Sequence, residues 1–176
     1  MTHSMQVMDE RVAALVAPRK VLIVDDEHYI RKVIRTLLMT IGVRHIQEAS
    51  NGYAGLDEIR SFNPDIVLVD WEMPELDGPG FVRAVRSPET FPHPDVPIIM
   101  LTAHGERSRV LEAMRCGVNK YLLKPVSSQA LQARIVSVLL HPRPMVRRGD
   151  YYGPEPRKPS TYKLEVDVGH STLVLV

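Results

Sequence analysis

The sequence predicts a doubly wound α/β domain, a five-stranded parallel sheet flanked by five helices. Three observations carry that prediction. Apolar strand-like runs and helical patterns alternate five times through the middle of the chain. The runs are short, unbroken and rich in β-branched residues, as in strands covered on both faces. Four of the runs stop at a residue with chemistry to offer: an aspartate, a second aspartate, a threonine and a lysine.

The elements follow in order. Val21-Leu22-Ile23-Val24 is the first strand, and it stops at Asp25-Asp26. Ile30, Val33, Ile34, Leu37, Leu38 and Ile41 then recur at helical spacing, and Gly42 closes that helix. His45–Ala49 is a weaker strand pattern, followed by an Asn51-Gly52 turn. Tyr53–Phe62 reads as a helix ended by Asn63-Pro64, because the residue before proline disfavours helical backbone. Ile66-Val67-Leu68-Val69 is a buried strand ending at Asp70, and Pro79–Val85 begins a third helix. Pro88, Pro92, Pro94 and Pro97 mark a loop. Ile98–Leu101 is a strand ending at Thr102, Arg107–Arg115 a helix stopped by Gly117, and Tyr121–Leu123 a strand ending at Lys124-Pro125. Ser128–Leu140 is the last amphipathic helix.

Composition narrows the functional classes. Hydrophobic residues make up 44% of the 176 and charged residues 24%, enough apolar side chain for a sizeable core. A formal net charge of +1 gives no overall pull towards DNA or an anionic membrane. The single cysteine, Cys116, excludes an internal disulfide framework and fits a reducing cytosol. Residues 1–18 mix polar and apolar residues without the basic start and long apolar stretch of a signal peptide. No stretch approaches the ~18 consecutive apolar residues of a membrane span. A cytoplasmic protein is the expectation.

In a doubly wound sheet, ligands bind beyond the carboxyl ends of the strands. The fold therefore gathers Asp25, Asp26, Asp70, Thr102 and Lys124 on one rim. Three carboxylates in one place repel, by about 4 kcal/mol per pair at ~4 Å in an effective dielectric near 20. A small oxygen-seeking cation such as Mg²⁺ would relieve that repulsion. A carboxylate can attack phosphorus to form an acyl phosphate, and Lys124 and Thr102 can meet phosphate oxygens.

These residues carry a family resemblance. Val24-Asp25-Asp26-Glu27, then Val69-Asp70-Trp71-Glu72-Met73-Pro74 with Asp77-Gly78, then Leu101-Thr102-Ala103, then Tyr121 and Lys124-Pro125 resemble two-component response-regulator receiver domains of the stand-alone, CheY-like (flavodoxin-like) type. The resemblance runs from about Arg19 to Leu140, with every motif in order. It implies that Asp70 is the phosphoacceptor, and that Asp25, Asp26, Asp70 and the Glu72 backbone carbonyl hold Mg²⁺, Asp25 through water. Thr102 and Lys124 would contact the phosphate, Thr102 and Tyr121 would form a switch pair, and Pro125 would follow a cis peptide bond. His104 and Glu72 occupy positions where such domains tune phosphoryl lifetime. The implied partners are a histidine kinase or histidine phosphotransfer protein upstream and a downstream protein on the face of the fourth helix, fifth strand and fifth helix. A homodimer is compatible with this; a membrane or direct nucleic-acid contact is not expected. A magnesium-dependent aspartyl phosphatase, with Glu72 as second acid, is the rival reading, and a phosphorylation-independent docking module is a third. A switch rather than a turnover enzyme is the expectation.

The domains expected are an N-terminal extension (1–18), the receiver (19–140) and a tail (141–176). Pro142, Pro144, Pro154, Pro156 and Pro159, with Arg143, Arg147, Arg148, Arg157 and Lys158, make the tail read as a basic, solvated linker. It offers no helix-turn-helix. Its run Arg147–Pro154 loosely resembles a tail on some stand-alone bacterial receivers, to which no function attaches. Tyr162, Leu164, Val166 and Val168 alternate with polar residues, and Gly169-His170 could turn the chain into a terminal hairpin.

Overall fold

The computed structural model describes residues 10–156 and the backbone of residues 164–168 and 171–175. Five strands, β1 (Lys20–Val24), β2 (His45–Ala49), β3 (Ile66–Asp70), β4 (Ile98–Thr102) and β5 (Lys120–Leu123), form one parallel sheet in the order β2-β1-β3-β4-β5. Five helices alternate with them: α1 (His28–Thr40), α2 (Gly52–Phe62), α3 (Gly78–Val85), α4 (Arg107–Cys116) and α5 (Ser128–Leu140). A short further helix over residues 10–16 precedes β1, where the sequence suggested only an extension.

The alternation of side chains along each strand splits the interior into two layers. Leu22, Val24, Val67, Val69, Ile98 and Met100 face α2, α3 and α4, with Phe81 and Ile59 filling the space between. Val21, Ile23, Leu68, Ile99 and Leu101 face α1 and α5, meeting Ile34, Leu38, Leu131 and Ile135. Both faces of the central strands are thus covered, which is why those strands read as continuous apolar runs. Helix ends follow local chemistry: Asn51 caps α2 by accepting from Ala54 N at 2.8 Å, Asp77 caps α3 by accepting from Gly80 N at 2.8 Å, and Ser127 caps α5. Asn63 and Gly117 close α2 and α4 in the left-handed region.

The first part of the tail corrects the linker expectation. Residues Met145–Arg148 (β6) and Tyr151–Pro154 (β7) form an antiparallel hairpin. It packs on the receiver because its side chains find partners there. Arg143 donates to the Val118 and Asn119 carbonyls at 3.3 and 2.8 Å, Arg147 pairs with Glu89, and the Tyr152 hydroxyl donates to Asp95. Gly153 lies backbone to backbone with Gly117: a Cβ built on Gly153 would meet Gly117 Cα at 3.0 Å. Arg143 and Arg147, two of the arginines that suggested a solvated segment, therefore help to dock it. Further on, Leu164–Val168 (β8) and Ser171–Leu175 (β9) pair antiparallel; the turn expected at Gly169-His170 lies outside the described residues.

Candidate functional site

Sheet register assembles the site. Val24 of β1 pairs with Val69 of β3, so Asp25 and Asp70 leave the sheet side by side. Asp70 pairs with Leu101 and Thr102 with Leu123, which brings Thr102 and then Lys124 to the same rim. The sheet order reverses between β1 and β3, the point at which such folds open a crevice.

Asp25 is fully buried, Asp70 nearly so, and Asp26 is exposed. One carboxylate oxygen from each lies within 4.8 Å of the others. Lys124 reaches between them, its Nζ 2.8 Å from Asp70 Oδ1 and 3.0 Å from Asp25 Oδ2. Asp25 Oδ1 also accepts from Glu27 N at 2.9 Å, which fixes its orientation. Burial pushes the Asp70 carboxyl above its ordinary value, Lys124 opposes that shift and Asp25 reinforces it. Burial would lower Lys124, but its bonds to Asp70 and Asp25 hold it above the usual lysine value. One lysine thus stands beside three acids, and among the described residues no second cation pairs with their carboxylates.

That donor set fits a divalent cation of the Mg²⁺ type. The ligands are hard carboxylate oxygens, one from each aspartate, all within 4.8 Å of one another.

Thr102 and Tyr121 are joined through one backbone residue. Thr102 is fully buried, and its Oγ1 accepts from His104 N at 3.0 Å. The Tyr121 hydroxyl donates to the His104 carbonyl, and its half-buried ring packs on the core layer under α4. Burial, with Glu106 nearby, pushes the Tyr121 phenol up to about 12, so it stays a donor at neutral pH. The His104 ring bonds Glu72 across the mouth of the cleft, Nε2 to Oε1 at 2.7 Å. The Lys124–Pro125 peptide bond is cis.

Sequence reading missed two arginines. Arg31, on the first turns of α1, donates to the Asp25 carbonyl at 2.8 Å and the Asp26 carbonyl at 3.3 Å, and its Nε bonds Glu48 of β2 at 3.3 Å. It ties the acidic loop to the sheet edge. Arg109, on α4, lies over the Trp71 ring with its guanidinium carbon 5.2 Å from the centroid. A cleft of about 640 Å³ opens above Asp70, and Arg109 lines it opposite Lys124. Helical periodicity places both arginines as ordinary surface cations, so no sequence signal marks them. Trp71, directly after Asp70, is only 3% exposed.

The family model for the response regulator receiver domain matches residues 21–136. The chemotaxis protein CheY of Pseudomonas aeruginosa is 38% identical over 119 residues, covering 68% of this chain and 94% of that protein. The chemotaxis protein CheY1 of Helicobacter pylori is 35% identical over 122 residues, covering 68% and 96%. Among solved structures, a response regulator from Chloroflexus aurantiacus, described as putative, superposes with a TM-score of 0.64 at 31% identity, covering 70% of this chain and 98% of that one. The chain belongs to the response-regulator receiver family of two-component signalling. No helix among the described residues is long and apolar enough to cross a membrane.

Proposed function

We infer that this protein is a phosphorylation switch in which Asp70 accepts a phosphoryl group from a phosphohistidine on a histidine kinase or phosphotransfer protein. The observation that carries this reading is the meeting of Asp25, Asp26 and Asp70 around Lys124 at the floor of an open cleft. Asp70 Oδ attacks phosphorus, the P–N bond to the donor imidazole breaks, and the product is an aspartyl phosphate. Asp26, Asp70 and the Glu72 backbone carbonyl, with Asp25 through water, would hold Mg²⁺, whose charge would offset that of the phosphoryl oxygens. Lys124 transfers its contact from Asp70 to a phosphoryl oxygen. Thr102 turns its hydroxyl to donate to another.

The Thr102 movement pulls on His104 N, and the same residue's carbonyl holds the Tyr121 hydroxyl. Phosphorylation is thereby felt on the face made by α4, β5 and α5, where a downstream protein binds. The Glu72–His104 bond stands at the mouth and limits entry of the hydrolytic water. The same bond argues against the phosphatase reading, which needs Glu72 as a free second acid.

The test adds Mg²⁺ and a small phosphodonor or beryllofluoride while following Trp71 fluorescence. The expected result is a saturable change and one phosphoryl group per chain, both abolished in Asp70→Asn. A wild-type chain that stays unlabelled, or a response that survives in Asp70→Asn, would sink the reading; steady release of phosphate from small esters would favour the phosphatase.

A further inference from the structure

The cleft above Asp70 is electrostatically hostile to its proposed substrate. Asp26, Glu27, Glu72 and Asp77 line it together with Asp70, and every phosphodonor arrives as an anion. Two cations line the same cleft. Lys124 is already engaged by Asp25 and Asp70. Arg109 is not engaged in this way: its one recorded side-chain partner is the face of Trp71, and among the described residues no carboxylate pairs with it. Trp71 is buried and follows Asp70 directly, so the stacked guanidinium has a defined place beside the phosphoacceptor. Stacking uses the flat face of the guanidinium and leaves the N–H groups at its edge available for planar, bidentate binding of phosphate or carboxylate oxygens.

The geometry points to Arg109 as the residue that receives the anionic phosphodonor, binding its oxygens at the mouth of the cleft before transfer to Asp70. The proposal rests on the reading of Asp70 as phosphoacceptor and adds to it a donor-binding residue on α4. The chemistry it selects is a dianionic phosphate or acyl phosphate group over a donor of lower charge. Removing one half-exposed cation from the path of an anion slows the encounter most at low ionic strength, since salt screens the same attraction.

The experiment compares full-length wild type, Arg109→Gln and Arg109→Lys. Asp70 phosphorylation is timed with an acyl phosphate and with phosphoramidate, whose charge is lower, between low and high salt. Magnesium affinity is titrated separately through Trp71 fluorescence. The expected result is about a tenfold slower reaction of Arg109→Gln with the acyl phosphate at low salt, the weight of one charge-assisted contact. The deficit shrinks towards high salt and is smaller with phosphoramidate. Arg109→Lys recovers part of the rate, and magnesium affinity is not weakened in either variant. Wild-type rates and salt dependence in Arg109→Gln, with Asp70 still labelled, would overturn the proposal and leave the switch standing. A loss equal for both donors at every salt concentration, accompanied by weaker magnesium binding, would also overturn it, since that is a structural defect. If wild-type Asp70 is labelled by neither donor, the switch reading fails first and this one with it.

Discussion

Replacing Arg86 with methionine should cost this protein about 3 kcal/mol of folding stability, and part of that cost should depend on the tail hairpin. Arg86 is 5% exposed at the end of α3. Its guanidinium donates to the Gly117 carbonyl at 2.9 Å, the Val96 carbonyl at 2.8 Å, Asn119 Oδ1 at 2.9 Å and the Pro94 carbonyl. Bonds from a charged donor contribute ~1.5–3 kcal/mol each, so four give at least ~6 kcal/mol gross. Burial opposes this, pulling the guanidinium from its ordinary value down to about 10. At ~1.4 kcal/mol per pH unit that is roughly 3 kcal/mol against the charged form. The remainder, about 3 kcal/mol, is what methionine forfeits, because it fills the space but leaves three carbonyls without their donor. The hairpin enters because a Cβ at Gly117 would lie 3.1 Å from both Arg86 Cγ and the Tyr152 carbonyl oxygen. Levering β7 off with Gly153→Val should expose Arg86 to water and weaken its bonds. Urea unfolding of wild type, both single variants and the double variant measures this as a cycle. A coupling of at least ~1 kcal/mol is expected for two groups packed on the same residue, Gly117. A full-chain loss below ~1 kcal/mol, or strictly additive losses, would refute the reasoning.

Gly78→Ala should disable the site without removing any of its acids: the added Cβ would lie 2.5 Å from the Asp70 carbonyl oxygen and 2.9 Å from Trp71 Cα, backbone that cannot move aside without shifting Asp70. Phosphorylation at least tenfold slower, with a stability loss of ~1–3 kcal/mol from the overpacking, is the expected outcome in kinetic and urea experiments. Glu48 should contribute to acid sensitivity. Burial would raise its carboxyl, but Arg35 and then Arg31 bond it and hold it below its ordinary 4.5. The unfolded chain therefore binds that proton more readily, so the stabilisation is full above pH 4.5 and fades as pH falls below it. Glu48→Gln should lose ~1 kcal/mol at pH 7 and show a shallower decline of stability below pH 4.5; an unchanged slope would contradict this.

The central fold was legible because both faces of β1, β3 and β4 are covered, which leaves unbroken apolar runs in the sequence. β2 was faint for the converse reason: it is an edge strand with two of its five residues exposed. Strand ends announced Asp25, Asp70, Thr102 and Lys124, since a polar residue ending a buried run stands out. Arg31, Arg86 and Arg109 gave no such notice. Each sits at a helical position where an arginine is ordinarily solvated, and what each does depends on which carbonyl or ring the tertiary fold brings within reach. The tail misled for a related reason. Composition rich in proline and arginine reads as a linker until Glu89, Asp95 and the carbonyls of Val118 and Asn119 are seen to meet it.

Those docking points also explain how this chain can carry extra structure without obstructing its site. In a parallel α/β sheet every strand-to-helix loop opens at the carboxyl edge, and every helix-to-strand loop at the opposite one. The hairpin packs on Gly117 and Val118, between α4 and β5. The short helix over residues 10–16 meets Gly42, between α1 and β2: a Cβ there would lie 3.2 Å from that of Ala13. Both additions therefore load the edge remote from Asp70. The α4 helix spans the distance between the two ends. Its first turns carry Arg109 over Trp71, and its last residue leads into the glycine on which the hairpin rests. Any displacement of α4 must then either carry the hairpin with it or break the Gly117–Gly153 contact.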